Sequence, residues 1–260
     1  MAVLRSQDAV TEPDLREPVD MYKVMILVRT QSPLADEDPV GSARAEALRS
    51  ELESCARSLA GADSSIRGVV LSQVHKAFAD EDRLAMLIEV WTDADADQQR
   101  IVEVCVPGAL RAREELVVAA VSTSDIVFRE VLGRATESSP WKIKLVGTAF
   151  RREDFELDAF FDYWTNVHAP IGGNVPGLGG YVVSRVTEVL AGDEGADALI
   201  ALWYESEAVF DAGQTTPEAL AAWNDVANYA KTTGTFWLMT EHVIMSPPPS
   251  GPGILDSARG

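Results

Sequence analysis

Two stretches of this chain occur twice at one spacing. Gly68-Val-Val-Leu-Ser-Gln-Val74 reappears as Gly180-Tyr-Val-Val-Ser-Arg-Val186, and Leu87-Ile-Glu-Val-Trp-Thr-Asp-Ala-Asp-Ala96 reappears as Leu199-Ile-Ala-Leu-Trp-Tyr-Glu-Ser-Glu-Ala208. Both pairs share an offset of 112 residues (68 to 180, 87 to 199), which also carries Phe128-Arg-Glu-Val-Leu132 onto Thr240-Glu-His-Val-Ile244. Solenoid repeats recur every ~20 to 50 residues, so a period this long indicates two copies of a whole small domain. A chain of 260 residues has room for two such domains.

Each copy reads strand, helix, strand, strand, helix, strand. In the first, β-branched and apolar residues predict strands over Tyr22 to Arg29, Gly68 to Ala77, Leu84 to Thr92 and Ile126 to Leu132. Leu48, Leu52, Cys55 and Leu59, at i, i+4, i+7 and i+11, predict a helix from Ser42 to Leu59, and a second helix is expected near Leu110 to Val121. The second copy predicts strands Lys142 to Phe150, Tyr181 to Val186, Ala198 to Tyr204 and Phe236 to Met245, with helices Asp154 to His168 and Pro217 to Tyr229. The expected organisation is a disordered segment 1–20, a first ferredoxin-like domain 21–133, a linker 134–140, a second ferredoxin-like domain 141–246 and a disordered, proline-rich tail 247–260. The βαββαβ order is the split-βαβ arrangement, an antiparallel sheet with both helices on one face. Apolar residues on both faces of the last strand require a cover for the open face, and the second copy supplies it. The fold expected is α+β: tandem ferredoxin-like repeats closed into a fused dimeric α+β barrel around an apolar chamber.

The bulk composition excludes several function classes. Forty-one acidic residues against 22 basic ones give a net charge of −19, which repels phosphate backbones and anionic lipid. No apolar run approaches the ~18 residues of a membrane span, and the first twenty residues have no signal-peptide pattern, so a cytoplasmic location is expected. Cys55 and Cys105 lie among apolar neighbours and read as small core residues. Three histidines without His-x-His, His-Glu-x-x-His or Cys-x-x-Cys spacing predict no metal site. Gly172-Gly-Asn-Val-Pro-Gly-Leu-Gly-Gly180 follows a helix instead of linking a strand to a helix N-terminus, so no dinucleotide cofactor is expected there.

The densest chemical candidate is Asp158-Ala-Phe-Phe-Asp-Tyr-Trp-Thr-Asn-Val-His-Ala-Pro170. On a helix, Leu157, Phe160, Phe161, Trp164 and His168 fall on one stripe, so His168 points inward. Pro170 is expected to end the helix, leaving the imidazole at the negative end of the dipole with its protonated form favoured. A histidine among aromatic rings suits proton transfer on a small aromatic or enolisable molecule; a core histidine held by one carbonyl is the alternative.

With its strand end Arg151-Arg152, Phe161-Asp-Tyr-Trp164, His168-Ala-Pro170, Gly179-Gly-Tyr181 and Glu241-His242-Val243, the segment Lys142 to Met245 resembles the EthD-like family of the dimeric α+β barrel superfamily. The resemblance implies a small, usually dimeric protein without a dedicated cofactor motif, acting as decarboxylase, dehydratase or cyclase on aromatic polyketides and related phenolics. It places the active-site role on His168, with Trp164 and Tyr181 beside it. The first copy has Arg49, Glu51 and Ala56 where the motif should align, so one working pocket per chain is expected.

The remaining candidates are Glu241 and His242, which alternate across a strand so that only one can face a given pocket, and Arg185, four residues from Tyr181 on one strand face. Arg185 could orient a phenolate or carboxylate, or form a rim ion pair. His75 reads as a strand-edge residue. The expected function is cofactor-independent cyclisation, dehydration or decarboxylation of a small apolar, aromatic or polyketide-like substrate. His168 moves the proton, Tyr181 with Glu241 or His242 holds the oxygen that gains charge, and Trp164, Phe160 and Trp203 shape the cavity. The alternatives are an oxygenase acting on a phenol, cofactor-free or with haem, and a non-catalytic binding protein for a pathway intermediate. A homodimer of the whole chain is compatible with either.

Overall fold

The computed structural model describes residues 21–30, 39–78, 84–93, 96–113, 116–131, 139–192, 195–231, 234–249 and 253–257. The expected disordered segment 1–20 and linker residues 134–138 lie outside them. The first half runs β1 (Met21–Thr30), α1 (Pro39–Ala62), β2 (Ile66–Ala77), β3 (Leu84–Asp93), α2 (Gln98–Cys105), the single turn α3 (Gly108–Arg111) and β4 (Leu116–Arg129). The second runs β5 (Ile143–Ala149), α4 (Leu157–Tyr163), a π-helical turn Trp164–His168, α5 (Ala169–Gly172), β6 (Gly180–Ala191), β7 (Ala198–Tyr204), α6 (Glu207–Gln214), α7 (Pro217–Val226) and β8 (Phe236–Met245), then a terminal turn α8 (Ile254–Ser257). The eight strands close into one barrel in the order β1-β3-β2-β8-β5-β7-β6-β4. Every pairing is antiparallel, and the halves join where β2 meets β8 and β4 meets β6.

Strand alternation sorts the side chains into two compartments. From β1, Val24, Ile26 and Val28 face outward onto Leu48, Leu52, Ala56 and Leu59 of α1 and Ile101, Val102 and Cys105 of α2. Met25 and Leu27 face inward, where they meet Leu87, Val121, Val146, Leu199, Trp237 and Met239 from both halves. The expected chamber between the sheets is therefore occupied. Its remaining polar content is a chain of buried charges. The Lys23 ammonium contacts Asp125 at 2.8 Å, Ser184 at 2.7 Å and Glu89 at 3.6 Å. Lys144 pairs with Glu89 and with Glu241 at 3.2 Å, and Glu241 accepts from the Trp203 indole at 3.0 Å. Lys23 lies opposite Trp91 across β1–β3, and Lys144 opposite Trp203 across β5–β7. Each ammonium sits over its own tryptophan face, at 5.4 and 5.2 Å.

Two sequence expectations fail. The helix expected near Leu110 to Val121 is instead α2 and α3 followed by β4, which starts at Leu116. Val117, Val118 and Val121 are β-branched and favour a strand, while Asp97 caps α2 by accepting from the Arg100 N–H at 3.0 Å. The helix carrying His168 does not stop at Pro170. The Ala169 N–H bonds to the Trp164 carbonyl, five residues back, and α5 continues to Gly172; a π turn inserts an extra residue just where proline can supply no N–H. Residues 253–257 of the tail are among those described. Leu255 packs onto the second half's core, and the Asp256 carboxylate accepts from the Glu130 N–H at 3.1 Å.

Candidate active site

A cavity of about 160 Å³ lies in the second half, between the outer face of its sheet and the covering helices. Leu145, Tyr181, Ile200, Leu202, Tyr204 and Phe236 form the sheet side. Trp164, His168, Gly172, Val175, Trp223 and Tyr229 form the other. The His168 ring thus opens onto a helix–sheet pocket and not onto the space between the two halves, because Trp164 and His168 are carried by the helix that covers the outer face.

The π turn turns both Trp164 and His168 inward, their rings edge to face at 5.9 Å. His168 Nδ1 lies 3.0 Å from Asp225 Oδ2. Asp225 sits on the last turn of α7, which starts at a Thr216 cap and Pro217. Its other oxygen accepts from the Tyr163 hydroxyl and the Asn228 amide, each at 2.9 Å. Burial acts to raise the Asp225 carboxyl, but the hydrogen bonds from Asn228, Tyr163 and His168 outweigh it and hold the group below the ordinary carboxylate range. For His168 the balance is reversed: burial lowers its pKa more than Asp225 raises it, so the ring is neutral at pH 7. This corrects the expectation of a protonated imidazole stabilised by a helix end. A neutral ring facing an ionised carboxylate carries its proton on Nδ1 and donates it to Asp225, which leaves the Nε2 lone pair unengaged among the described residues.

Nε2 faces a second polar atom. A side chain added at Gly172 would meet Nε2 at 3.8 Å and the Tyr181 hydroxyl at 3.9 Å, so this glycine keeps open the space between them. The Tyr181 oxygen accepts from the Trp164 indole N–H at 2.7 Å, and its own O–H is left to donate. Burial pushes the Tyr181 phenol well above its ordinary value, so it stays protonated. The arrangement is a base held by a carboxylate and a neutral donor beside it, in an apolar cavity, where both act without competition from bulk water.

The other sequence candidates lie elsewhere. Phe160 is buried behind the cavity, packing on Trp164 and Tyr229. Trp203 and Glu241 point into the barrel interior and bond to each other, because both alternate to its inner face. His242 alternates to the outer face on the first half's side, where Arg49, Glu46 and Glu53 of α1 act on it. Arg185 is a rim residue, paired with Asp158 at 2.9 Å and stacked on Phe161. His75 sits at a register shift on β2, away from the cavity. Cys105 is inert, its thiol pushed up to about 12 by burial. Among the described residues no cluster of three or more His, Cys, Asp or Glu is placed to hold a metal, and no helix is long and apolar enough to cross a membrane.

Sequence reasoning missed Asp225 and Tyr229. Asp225, Asn228 and Tyr229 follow the i, i+3, i+4 spacing that puts residues on one helix face, and that was the available signal. Tyr229 lines the cavity between the His168 and Trp164 rings, with centroids at 4.9 and 5.4 Å.

Comparison with known proteins agrees with this architecture. A search of curated protein sequences finds no match. Among solved structures, an anthrone oxidase-like protein superposes with a TM-score of 0.58 at 13% identity, covering 89% of this chain and 96% of that one. A candidate monooxygenase from Fusobacterium nucleatum gives a TM-score of 0.52 at 8% identity, covering 90% and 96%. An EthD family protein from Bacillus halodurans is 21% identical over 39% of this chain and 95% of its own, with a TM-score of 0.29. At such identities the likeness is one of fold. In sequence, the family model for the EthD domain matches residues 152–233, the stretch that holds Trp164, His168, Tyr181, Asp225 and Tyr229. Residues 152–233 thus match the EthD domain model, in a chain that shares its fold with these solved structures.

Proposed function

We propose that this chain is an acid–base enzyme that removes a proton from a small apolar substrate of the aromatic or polyketide-like class. His168 Nε2 takes the proton from an enolisable carbon or a phenolic oxygen. The bonding pair stays on the substrate as an enolate or phenolate, and Tyr181 donates to the oxygen that carries the charge. The same proton is returned in the second half-reaction: to carbon in a rearrangement, to the alkoxide left when the enolate carbon attacks a second carbonyl in a cyclisation, or to a departing hydroxyl in a dehydration. The observation that carries this reading is the contact of Nδ1 with Asp225, which fixes the tautomer and turns Nε2 onto the cavity. His–carboxylate pairs of this kind orient the ring and stabilise its protonated form as it appears.

On this reading the halves are ferredoxin-like domains, 21–133 and 141–246. The first is a scaffold whose helix–sheet space is filled, and the second holds the working pocket. The test is deuterium exchange at the acidic carbon of 2-tetralone in D₂O, followed by NMR. The wild-type protein should accelerate exchange and His168→Ala should not. Equal exchange by both proteins would falsify the assignment.

A second reading follows the anthrone oxidase-like and monooxygenase proteins that share this fold. It begins with the same deprotonation; the carbanion then forms a C–O bond to dioxygen, the resulting peroxide anion takes a proton, and loss of water from the hydroperoxide leaves a carbonyl, so that a CH₂ group and dioxygen become C=O and water. Incubation of a phenolic or anthrone-type probe under air and under argon separates the two. Product that forms only under air selects oxygenation, and product that forms equally in both selects rearrangement or elimination.

A further inference from the structure

The proton-transfer reading uses His168, Asp225, Tyr181 and Trp164. Of the other polar groups that line the cavity, Thr148 accepts from the Thr235 N–H, Gln214 bonds to Trp223 and Tyr204, and Lys231 pairs with Glu153, which leaves the Tyr229 hydroxyl. Tyr229 is 2% exposed, yet it lines the cavity. Its ring is held on several sides: stacked on Tyr163 at 5.1 Å, tilted against His168 at 4.9 Å and Phe160 at 5.5 Å, and edge-on to Trp164 at 5.4 Å. Its hydroxyl has no hydrogen-bond partner among the described residues. It is also absent from the fully enclosed unsatisfied atoms, Ser72 Oγ, Glu89 Oε1, Gln98 Oε1 and Trp237 Nε1. An enclosed phenol that is neither bonded nor sealed off has its oxygen on the cavity. A buried hydroxyl left unbonded costs about 1–3 kcal/mol, so a rigidly held one is a donor waiting for an acceptor.

Tyr181 presents a second phenolic proton to the same space, and His168 Nε2 opens beside it. Tyr181, Tyr229 and His168 therefore bring two neutral donors and one base to the cavity. One donor suits a lone carbonyl oxygen. Two suit a substrate whose developing charge is shared by two oxygens, and that follows when the proton lost lies between two carbonyls or their phenolic equivalents. Such a carbon is more acidic than the carbon beside a single ketone, which an imidazole base also deprotonates but more slowly.

Building on the proton-transfer reading, we infer that Tyr181 and Tyr229 form a two-point clamp for a 1,3-dioxygenated substrate, a β-dicarbonyl or its enol or phenol form. His168 acts at the position between the oxygens. Tyr229 touches substrate through its hydroxyl and selects this class over monoketones.

The test measures binding of two probes, 2-acetyl-1-tetralone and 1-tetralone, to wild type, Tyr229→Phe, Tyr181→Phe and His168→Ala. Tyr229→Phe removes one oxygen that bonds to nothing in the protein, and near-ultraviolet circular dichroism checks that the aromatic cluster is intact. The wild-type protein should favour the diketone and show the red-shifted enolate band on binding. Loss of one hydrogen bond to a charge-bearing oxygen corresponds to roughly a tenfold change, so the diketone-to-monoketone preference should fall about tenfold in Tyr229→Phe. Tyr181→Phe should show the same loss. A wild-type protein that binds neither probe or binds both equally overturns the clamp, and so does a preference unchanged in Tyr229→Phe. Failure of the proton-transfer reading looks different: the preference would still depend on Tyr229, but exchange of the acidic hydrogen would not depend on His168.

Discussion

Replacing Asp225 by asparagine tests the site most sharply, because the hydrogen bonds around this residue dictate which way the new amide must face. Oδ1 accepts two bonds, from Tyr163 and Asn228, and Oδ2 faces one imidazole nitrogen. The asparagine carbonyl will take the place of Oδ1, where two donors wait, and its NH₂ will face His168 Nδ1. That nitrogen must then accept, so the ring proton moves to Nε2, on the cavity side, and the base is blocked. Restoring the productive tautomer costs a charge-assisted hydrogen bond of about 1.5–3 kcal/mol, which corresponds to a fall in kcat of roughly 10- to 150-fold. The pH profile supplies the second signature. Activity needs neutral His168 and rises through its pKa, which burial already places below the ordinary 6.5 while Asp225 opposes the shift. Without the carboxylate the acidic limb should move to still lower pH as the plateau drops. The assay is the initial rate of deuterium exchange from pH 4 upward, with nitrogen-15 shifts of the imidazole reporting the tautomer. A plateau within about twofold of wild type, or a limb displaced upward, would refute the tautomer assignment.

Three further outcomes follow from the same geometry. Burial lowers the pKa of both His168 and His242 in the fold, so the unfolded chain binds their protons first; the stability gained by keeping them neutral is complete above about pH 6.5 and is lost as pH falls through the folded values, and Tm scans should show this slope flattened in His168→Gln and His242→Gln. Gly172→Ala introduces a methyl at ordinary contact distance, 3.8 Å from His168 Nε2 and from the Tyr181 ring; Tm should hold or rise while KM rises roughly tenfold, the scale on which a pocket registers one added methylene, and an unchanged KM would place the substrate elsewhere. Lys144→Met leaves Glu89 and Glu241 without their shared cation inside the barrel, and urea unfolding should show a loss of about 3–5 kcal/mol; a loss below about 1 kcal/mol would mean that the interior charges are solvated.

Much of the architecture was legible because strand periodicity survives at the level of single residues. Ala198 to Tyr204 and Phe236 to Met245 were placed to the residue, and the split of Leu238 from Trp237 and Met239 across β8 was readable from alternation alone. The stretch 98 to 121 failed because its short helices carry few periodic positions, and Leu110 to Val121 mixes helix-compatible alanines with the valines that settle the matter. The site was half legible. Trp164 and His168 stand four apart, so one motif showed both, and Tyr181 lay beside the glycine-rich loop. Asp225 is 57 residues from His168 and meets it only through the packing of α7 on the π turn, which no local pattern reports. Alternation says which residues share a face but not which face borders the hollow, so it could not separate Trp203 and Glu241, which face the barrel interior, from Tyr181; Arg185 took the rim ion pair that was one of its two readings.

The interior lysines reveal what a single continuous polypeptide permits here. Lys23 and Lys144 occupy matching places, each across from a tryptophan, but the carboxylate between them comes only from Glu89; 112 residues later the corresponding position is Ala201. Two copies of the C-terminal half would leave each Lys144 its Glu241 but no acid bridging the two ammonium groups, and two copies of the N-terminal half would set two carboxylates, Glu89 and Asp125, against each Lys23. Covalent linkage removes the demand that both partners be identical. One can then devote its helix layer to solid packing while its companion keeps a hollow.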